Sequence, residues 1–224
     1  MKYFPSFCVD GFFEDPDQIR KIALEQDFNN IGACQGRRTD LLQNICPQIH
    51  DNFCKRFFSF FFDLEKNEVD WAVKTYFHLH KKTDNKNFSN LTDESHILAH
   101  KYEDFEPSYE ASIPTSVHTD DCLISGVVYL NPIAEDNAGS AIYRVVENAD
   151  PVYITNSIKK ETVVMSANFK QVYNRIVGFD GACYHGRTGD NTLSERLTLV
   201  YFVLGINANI PPPLIRYKTE KYNK

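Results

Sequence analysis

From residue 71 onward apolar and polar positions alternate with a period of two: Trp71, Val73, Thr75, Phe77 and Leu79 interleave with Lys74, Tyr76 and His78. Successive side chains of an extended chain point to opposite faces, so this alternation predicts a strand. The preceding third has the helical period instead. Asp15 followed by Pro16 reads as an N-cap and first-turn pair, with Ile19, Ile22 and Ala23 repeating at helical spacing behind it. Pro47 opens a second helix in which Ile49, Phe53, Phe57, Phe60, Phe61 and Leu64 form one stripe roughly 120° wide. Phe58 and Phe62 fall on its other side. Two readings stand for that second apolar face: another layer of the same chain, or a second copy in a homo-oligomer formed through the Phe-rich segment 47–64.

After a polar connector over 81–95, further strands are expected at 96–102, 113–119, 122–130, 140–146, 175–179, 182–186 and 194–204. Turn residues punctuate them, among them Asn131-Pro132, Gly181 and the run from Gly186 to Asn191. Helices first and many short strands afterwards argue against alternating βαβ units. The expected class is mainly β with flanking helices (α+β), a double-sheet jelly roll or barrel with the N-terminal helices packed outside. One domain is expected over 1–224, with a helical part at 1–70, a β core at 71–205 and a tail at 206–224 that holds Pro211-Pro212-Pro213.

Composition narrows the partners. The 224 residues carry 24 basic and 30 acidic side chains, a net charge of −6. The excess of acid lies in residues 1–112, and no Lys/Arg-rich run offers a stripe for tracking phosphates. Nucleic acid is therefore not an expected partner. No apolar run approaches the roughly 20 residues that span a bilayer, and the opening residues do not read as a signal peptide. No membrane association and a cytoplasmic location are expected. The six cysteines show no CxxC pair, so free thiols are expected in place of a disulfide framework.

The sharpest chemical feature is His118-Thr119-Asp120, followed 67 residues on by His185 and 11 residues beyond that by Arg196. Residues two apart in an extended segment project to the same side, so His118 and Asp120 can hold one ion from one edge, with His185 as third ligand. Two imidazoles and a carboxylate on one face of an octahedron leave three positions open, the arrangement of non-haem Fe(II) oxygenases. Taken one at a time, these histidines read equally as hydrogen-bonded structural residues. The pairs His78/His80 and His96/His100 bring no carboxylate at matching spacing.

This constellation resembles the iron(II)- and 2-oxoglutarate-dependent dioxygenases, and among them the prolyl-hydroxylase-like branch. The resemblance spans roughly residues 96–204. SVHTDDCLISGVVYLNP (116–132) is similar to the family's metal-binding strand, a loop, and a strand ending in Tyr-Leu-Asn. NRIVGFDGACYHGRTG (174–189) is similar to the strand before the distal histidine together with that histidine, and ERLTLVYFV (195–203) to the family's last strand. Ala138-Gly139-Ser140 departs from the family's usual Gly-Gly turn.

The resemblance implies a double-stranded β-helix (jelly roll, cupin-like) oxygenase that uses Fe(II), 2-oxoglutarate as cosubstrate and O2. His118, Asp120 and His185 would bind the iron, and Arg196 the distal carboxylate of 2-oxoglutarate, since a guanidinium grips a carboxylate with two parallel donors. Tyr129 matches a position that helps hold the same carboxylate, though it reads equally as a buried strand aromatic. Tyr102 shares a strand face with His96, Leu98 and His100 and is a further candidate for the cofactor pocket. Arg187 is the rival to Arg196, set in what reads as a Gly-flanked turn. The acidic stretch at 103–112 is either a solvated loop or a lid over the substrate. A carboxylate at Asp120 favours hydroxylation over halogenation. The implied activity is hydroxylation of a C–H bond in a peptidyl or small-molecule substrate, with 2-oxoglutarate decarboxylated to succinate. The alternatives are a metal-binding cupin-like module without turnover and a nucleic-acid demethylase. The second loses ground because Phe202 stands where such enzymes carry a second arginine.

Overall fold

The computed structural model describes residues 6–31, 36–81, 117–134, 138–145, 157–158, 163–188 and 195–210. The predicted strand at 96–102, Tyr102 itself and the acidic stretch at 103–112 lie outside the described residues. The elements begin with β1 (Ser6–Val9), α1 (Pro16–Leu24), β2 (Asn30–Ile31), β3 (Arg37–Arg38), α2 (Leu42–Ile45), α3 (Pro47–Ser59) and β4 (Val69–Lys81). Then come β5 (Val117–His118), β6 (Ile124–Tyr129), β7 (Gly139–Val145), β8 (Ser157–Ile158) and β9 (Val163–Lys170), followed by β10 (Ile176–Asp180), β11 (Tyr184–Thr188) and β12 (Glu195–Ala208). Among the described residues the strands form two sheets, ordered β1-β10-β6-β12-β4-β3-β2 and β8-β5-β11-β7-β9, with every pairing antiparallel. The mostly-β expectation with few helices holds.

Three boundaries differ from expectation. The first 70 residues are not purely helical, because β1 adds an edge strand to β10 and β3 pairs with β4. Strand β9 was not expected, although Met165, Ala167 and Phe169 are half-buried and Ser166, Asn168 and Lys170 are exposed, which is a period of two. The last strand runs past residue 205: after an irregularity between Val203 and Gly205 its pairing with β4 continues to Ala208.

Helix α1 starts as its sequence demands, with the Asp15 side chain accepting a hydrogen bond from the Gln18 amide (2.9 Å) and Pro16 in the first turn. It buries Ile19 and Ala23. Helix α3 buries Ile49, Phe53, Cys54, Phe57 and Phe58 against one face of the larger sheet. There Phe53 and Phe57 lie 4.9 and 5.2 Å from the Tyr201 ring. The Tyr201 hydroxyl donates to the Val177 carbonyl (3.0 Å) over two glycines. A Cβ at Gly126 or Gly178 would stand 2.6 or 2.4 Å from that oxygen, so this aromatic fits only where the strands beneath it lack side chains.

The helix ends at Ser59, so the helical period does not extend to 60–64 and Phe60 is 42% exposed instead of joining the buried stripe. Phe58 and Phe62 are buried within the chain, Phe58 stacked on Trp71 at 4.7 Å. The second apolar face of α3 is thus covered by the chain itself, and no second copy is needed to explain it. Among the described residues no helix is long and apolar enough to cross a membrane, and the described cysteines are free thiols.

Asn174 joins the N-terminal part to the sheets. It sits in the left-handed region (φ 60°), which asparagine tolerates better than most residues. Its side chain accepts from the Phe13 amide (2.8 Å) and donates to the Phe13 carbonyl (2.7 Å). Its own amide donates to the Tyr129 carbonyl (2.8 Å).

Candidate metal centre and anion pocket

The face of the larger sheet away from the helices is set by register. Arg196, Thr198 and Val200 on β12 stand opposite His80, His78 and Tyr76 on β4, and Thr198 and Val200 stand opposite Tyr129 and Val127 on β6. This face looks across to the smaller sheet. Tyr129, Val177 and Phe179 share an apolar cluster with Ile142 and Cys183.

His118 on β5 and His185 on β11 are direct cross-strand partners, with ring centres 4.4 Å apart. Asp120 lies just past β5, its amide donating to the Gly181 carbonyl (2.8 Å). Gly181 is required there: a Cβ would stand 2.3 Å from the Cys122 carbonyl oxygen and 2.9 Å from that of Asp120. The tight turn before β11 thus presses the Asp120 segment against the distal histidine. Asp120 Oδ1 is 3.6 Å from His118 Nε2, and Oδ2 is 3.2 Å from His185 Nε2. The ligand atoms of the three residues all lie within 4.8 Å of one another, the single such group of three among the described residues. The sequence-predicted triad is therefore assembled in space.

His185 Nδ1 lies 2.9 Å from the Cys183 carbonyl. A carbonyl only accepts, so Nδ1 carries hydrogen and a neutral ring directs its Nε2 lone pair at Asp120. An imidazole lone pair facing a carboxylate oxygen at 3.2 Å needs a cation or a proton between them, and a second imidazole converges on the same point. The donor set fits a divalent first-row metal. Such outer hydrogen bonds to a ligating histidine fix its tautomer. The Phe179 ring, 4.3 Å from that of His185, walls the site. Where protons fill that place, burial still pushes the Asp120 carboxyl up, but the hydrogen bond from a protonated His185 and the positive charges of protonated His185 and His118 outweigh it and hold the group below the usual carboxylate range.

Arg196 and Tyr129 come together as the sequence suggested. The Arg196 guanidinium carbon is 5.5 Å from the centre of the Tyr129 ring, and Arg196 Nε donates to Gln171 Oε1 (3.3 Å). Tyr129 is fully buried and shares a 2.8 Å hydrogen bond with Ser140 of the opposite sheet. Burial raises its phenol above the ordinary range, against the opposing pull of Arg196 and Ser140, so it stays an O–H donor at neutral pH. Arg187 is not in a turn. It lies on β11 opposite Ser140, two residues from His185 and so on the same strand face. Gln171 and Ser140 were not anticipated: both are polar and buried, but no local motif marks them.

The chain aligns with solved structures over most of its length. An oxidoreductase of the 2OG-Fe(II) oxygenase family from Burkholderia pseudomallei matches 89% of this chain and 84% of its own, at 11% identity and a TM-score of 0.50. HygX from Streptomyces hygroscopicus, solved with nickel and 2-oxoglutarate bound, matches 89% and 83% at 11% identity and a TM-score of 0.49. A Pseudomonas putida prolyl-4-hydroxylase matches 90% and 92% at 13% identity and a TM-score of 0.41. The fold is that of the Burkholderia pseudomallei 2OG-Fe(II) oxygenase-family structure, and at this identity the likeness is one of fold alone. No family model and no curated protein matches the sequence.

Proposed function

We propose that this chain is an Fe(II)- and 2-oxoglutarate-dependent oxygenase that hydroxylates a C–H bond of a small-molecule or peptidyl substrate. The observation that carries the reading is the convergence of His118, Asp120 and His185 on one point at the smaller sheet, with Arg196 beside the buried Tyr129 on the face of the larger sheet that looks toward it. The two facing sheets are then the halves of a double-stranded β-helix. When bound, the iron with 2-oxoglutarate and dioxygen supplies C–H oxidation coupled to decarboxylation of the cosubstrate to succinate. The chain's own part is to bind and to orient. His118, Asp120 and His185 hold the metal. Arg196, its Nε donating to Gln171, pairs with the distal carboxylate, since a guanidinium grips a carboxylate with parallel donors. Tyr129, held by Ser140, offers an O–H to the same carboxylate, and Phe179 shields the ligands from water.

The test is binding and turnover with matched variants. Asp120→Ala loses tight Fe(II) binding by calorimetry while its circular dichroism stays native. In metal-loaded protein, Arg196→Ala binds 2-oxoglutarate roughly 30- to several-thousand-fold more weakly, the range for stripping one partner from a buried charge pair. Arg187→Ala, measured beside it, keeps most of the affinity. Undiminished metal affinity in Asp120→Ala would overturn the metal assignment. Normal binding by Arg196→Ala with a crippled Arg187→Ala would move the anion site to Arg187. Metal binding without oxygen-dependent succinate formation, across a substrate screen, would leave a binding module in place of an enzyme.

A further inference from the structure

Pairing between β6 and β12 begins at Tyr129 opposite Thr198, so β6 has no strand residue opposite Arg196. Pro132 has no amide hydrogen to extend the ladder and disfavours continuation of the strand. The place is filled by a side chain. Asn131, only 6% exposed, donates from Nδ2 to the Glu195 carbonyl (2.9 Å) and accepts at Oδ1 from the Leu197 amide (2.6 Å). These are the backbone groups immediately before and after Arg196. One side-chain amide thus does for the root of Arg196 what a paired strand residue would do. Around it, the Leu130 amide donates to the Leu197 carbonyl (3.1 Å), and Arg20 of α1 donates to the Leu130 carbonyl (2.8 Å).

The guanidinium is held at its head by Gln171 and the Tyr129 ring, and at its root by Asn131. We propose that Asn131 is a positioning residue that sets where the Arg196 guanidinium stands, and thereby the length of dicarboxylate the site accepts. The inference rests on the reading of Arg196 as the carboxylate partner of 2-oxoglutarate. Asn131 commits its side-chain amide to the backbone on either side of Arg196. It acts through the backbone that carries Arg196, so its loss relaxes a fixed metal-to-guanidinium span.

The experiment measures, by calorimetry in oxygen-free Ni(II)-loaded protein, the affinities for 2-oxoglutarate and for 2-oxoadipate, which is one methylene longer. Asn131→Ala is expected to weaken 2-oxoglutarate binding about tenfold, the order lost with one or two neutral hydrogen bonds. The affinity for 2-oxoadipate falls less, so the preference between the two narrows, while Ni(II) affinity is unchanged. Asn131→Asp keeps the acceptor for Leu197 but sets a carboxylate against the Glu195 carbonyl. It is expected to narrow the same ratio, and it decides the matter if the alanine variant does not fold. Unchanged affinity and unchanged ratio, with Arg196→Ala crippled, would refute the positioning role and leave the anion site standing. Equal losses for both dicarboxylates with a lowered melting temperature would refute it as well, as a general loosening. Normal binding by Arg196→Ala would remove the anion-site reading itself.

Discussion

Asn174 makes a prediction whose size follows from the structure. It is 8% exposed and its partner Phe13 is 3% exposed, so neither the Phe13 amide nor its carbonyl has ready access to water. Replacing Asn174 by alanine removes both side-chain hydrogen bonds, at 2.8 and 2.7 Å, and leaves two buried backbone groups without those partners. Each neutral bond contributes about 1 kcal/mol, and a buried orphan costs about 1–3 kcal/mol. Alanine also lacks asparagine's tolerance of the left-handed backbone at φ 60°, which adds about 1 kcal/mol. The expected loss is about 3–7 kcal/mol, a large share of the roughly 5–15 kcal/mol that holds a domain together. Asn174→Gly suffers the same hydrogen-bond loss but not the backbone cost, so it should be about 1 kcal/mol more stable than the alanine variant. Urea denaturation followed by circular dichroism measures both. Hydrogen exchange adds the location: protection should fall first at Phe12 and Phe13, whose amides donate to the Asn174 carbonyl and side chain. An alanine variant within about 1 kcal/mol of the parent, or a glycine variant no more stable than alanine, would refute the reasoning.

Two further outcomes follow from single contacts. Gly181→Ala places a methyl 2.3 Å from the Cys122 carbonyl oxygen and 2.9 Å from that of Asp120, so Fe(II) affinity measured by calorimetry should fall by about 10-fold or more, as when an outer support of a ligand is lost. An unchanged affinity would show that the turn does not set the ligand. Burial pushes the Cys54 and Cys183 thiols up to about 12, so at pH 8 iodoacetamide should spare both in the folded protein. Exposed Cys8 should react ahead of them despite its own raised thiol. Mass spectrometry finding Cys54 labelled before unfolding would contradict the buried environment.

What could be read from the sequence was what repeats or converges by spacing. Helix α1 was legible because its cap and its apolar period agree. Strand β4 was legible because thirteen residues (Val69–Lys81) keep one period with few interruptions. The group of His118, Asp120 and His185 was legible because a candidate metal site needs few residue types in a restricted order, and the pairing of His118 with His185 then follows from the sheet. Harder to see was anything joining distant segments by one contact. Gln171 meets Arg196 across 25 positions, and Ser140 meets Tyr129 from the opposite sheet; their neighbours carry no signature of either bond. Arg187 departs from its local sequence pattern for a related reason. The glycines around it suggest a turn, whereas pairing with β7 holds Gly186 and Arg187 in a strand, a case of tertiary context overriding local preference.

The division of work between the sheets follows from these contacts. The larger sheet spends its helix-facing side on the aromatic core around Phe53, Phe57 and Tyr201, so only its other face is free for chemistry, and that face carries Arg196 and Tyr129. The smaller sheet carries His118 and His185, the histidines proposed to hold the metal. Under the proposed function neither sheet alone makes a site: a dicarboxylate that bridges the two must be matched to the gap between them. That gap is fixed by a few cross-sheet contacts, namely Tyr129 with Ser140, Arg196 with Gln171 and Phe179 with His185. Because the aromatic core lies behind the larger sheet and not in the gap, substitutions among its phenylalanines should lower stability without altering cosubstrate preference. Substitutions at the cross-sheet contacts should change that preference, and should lower stability too where they remove the buried Tyr129 or Phe179. Cosubstrate preference is thus set on one face of the larger sheet, whereas both faces contribute to stability.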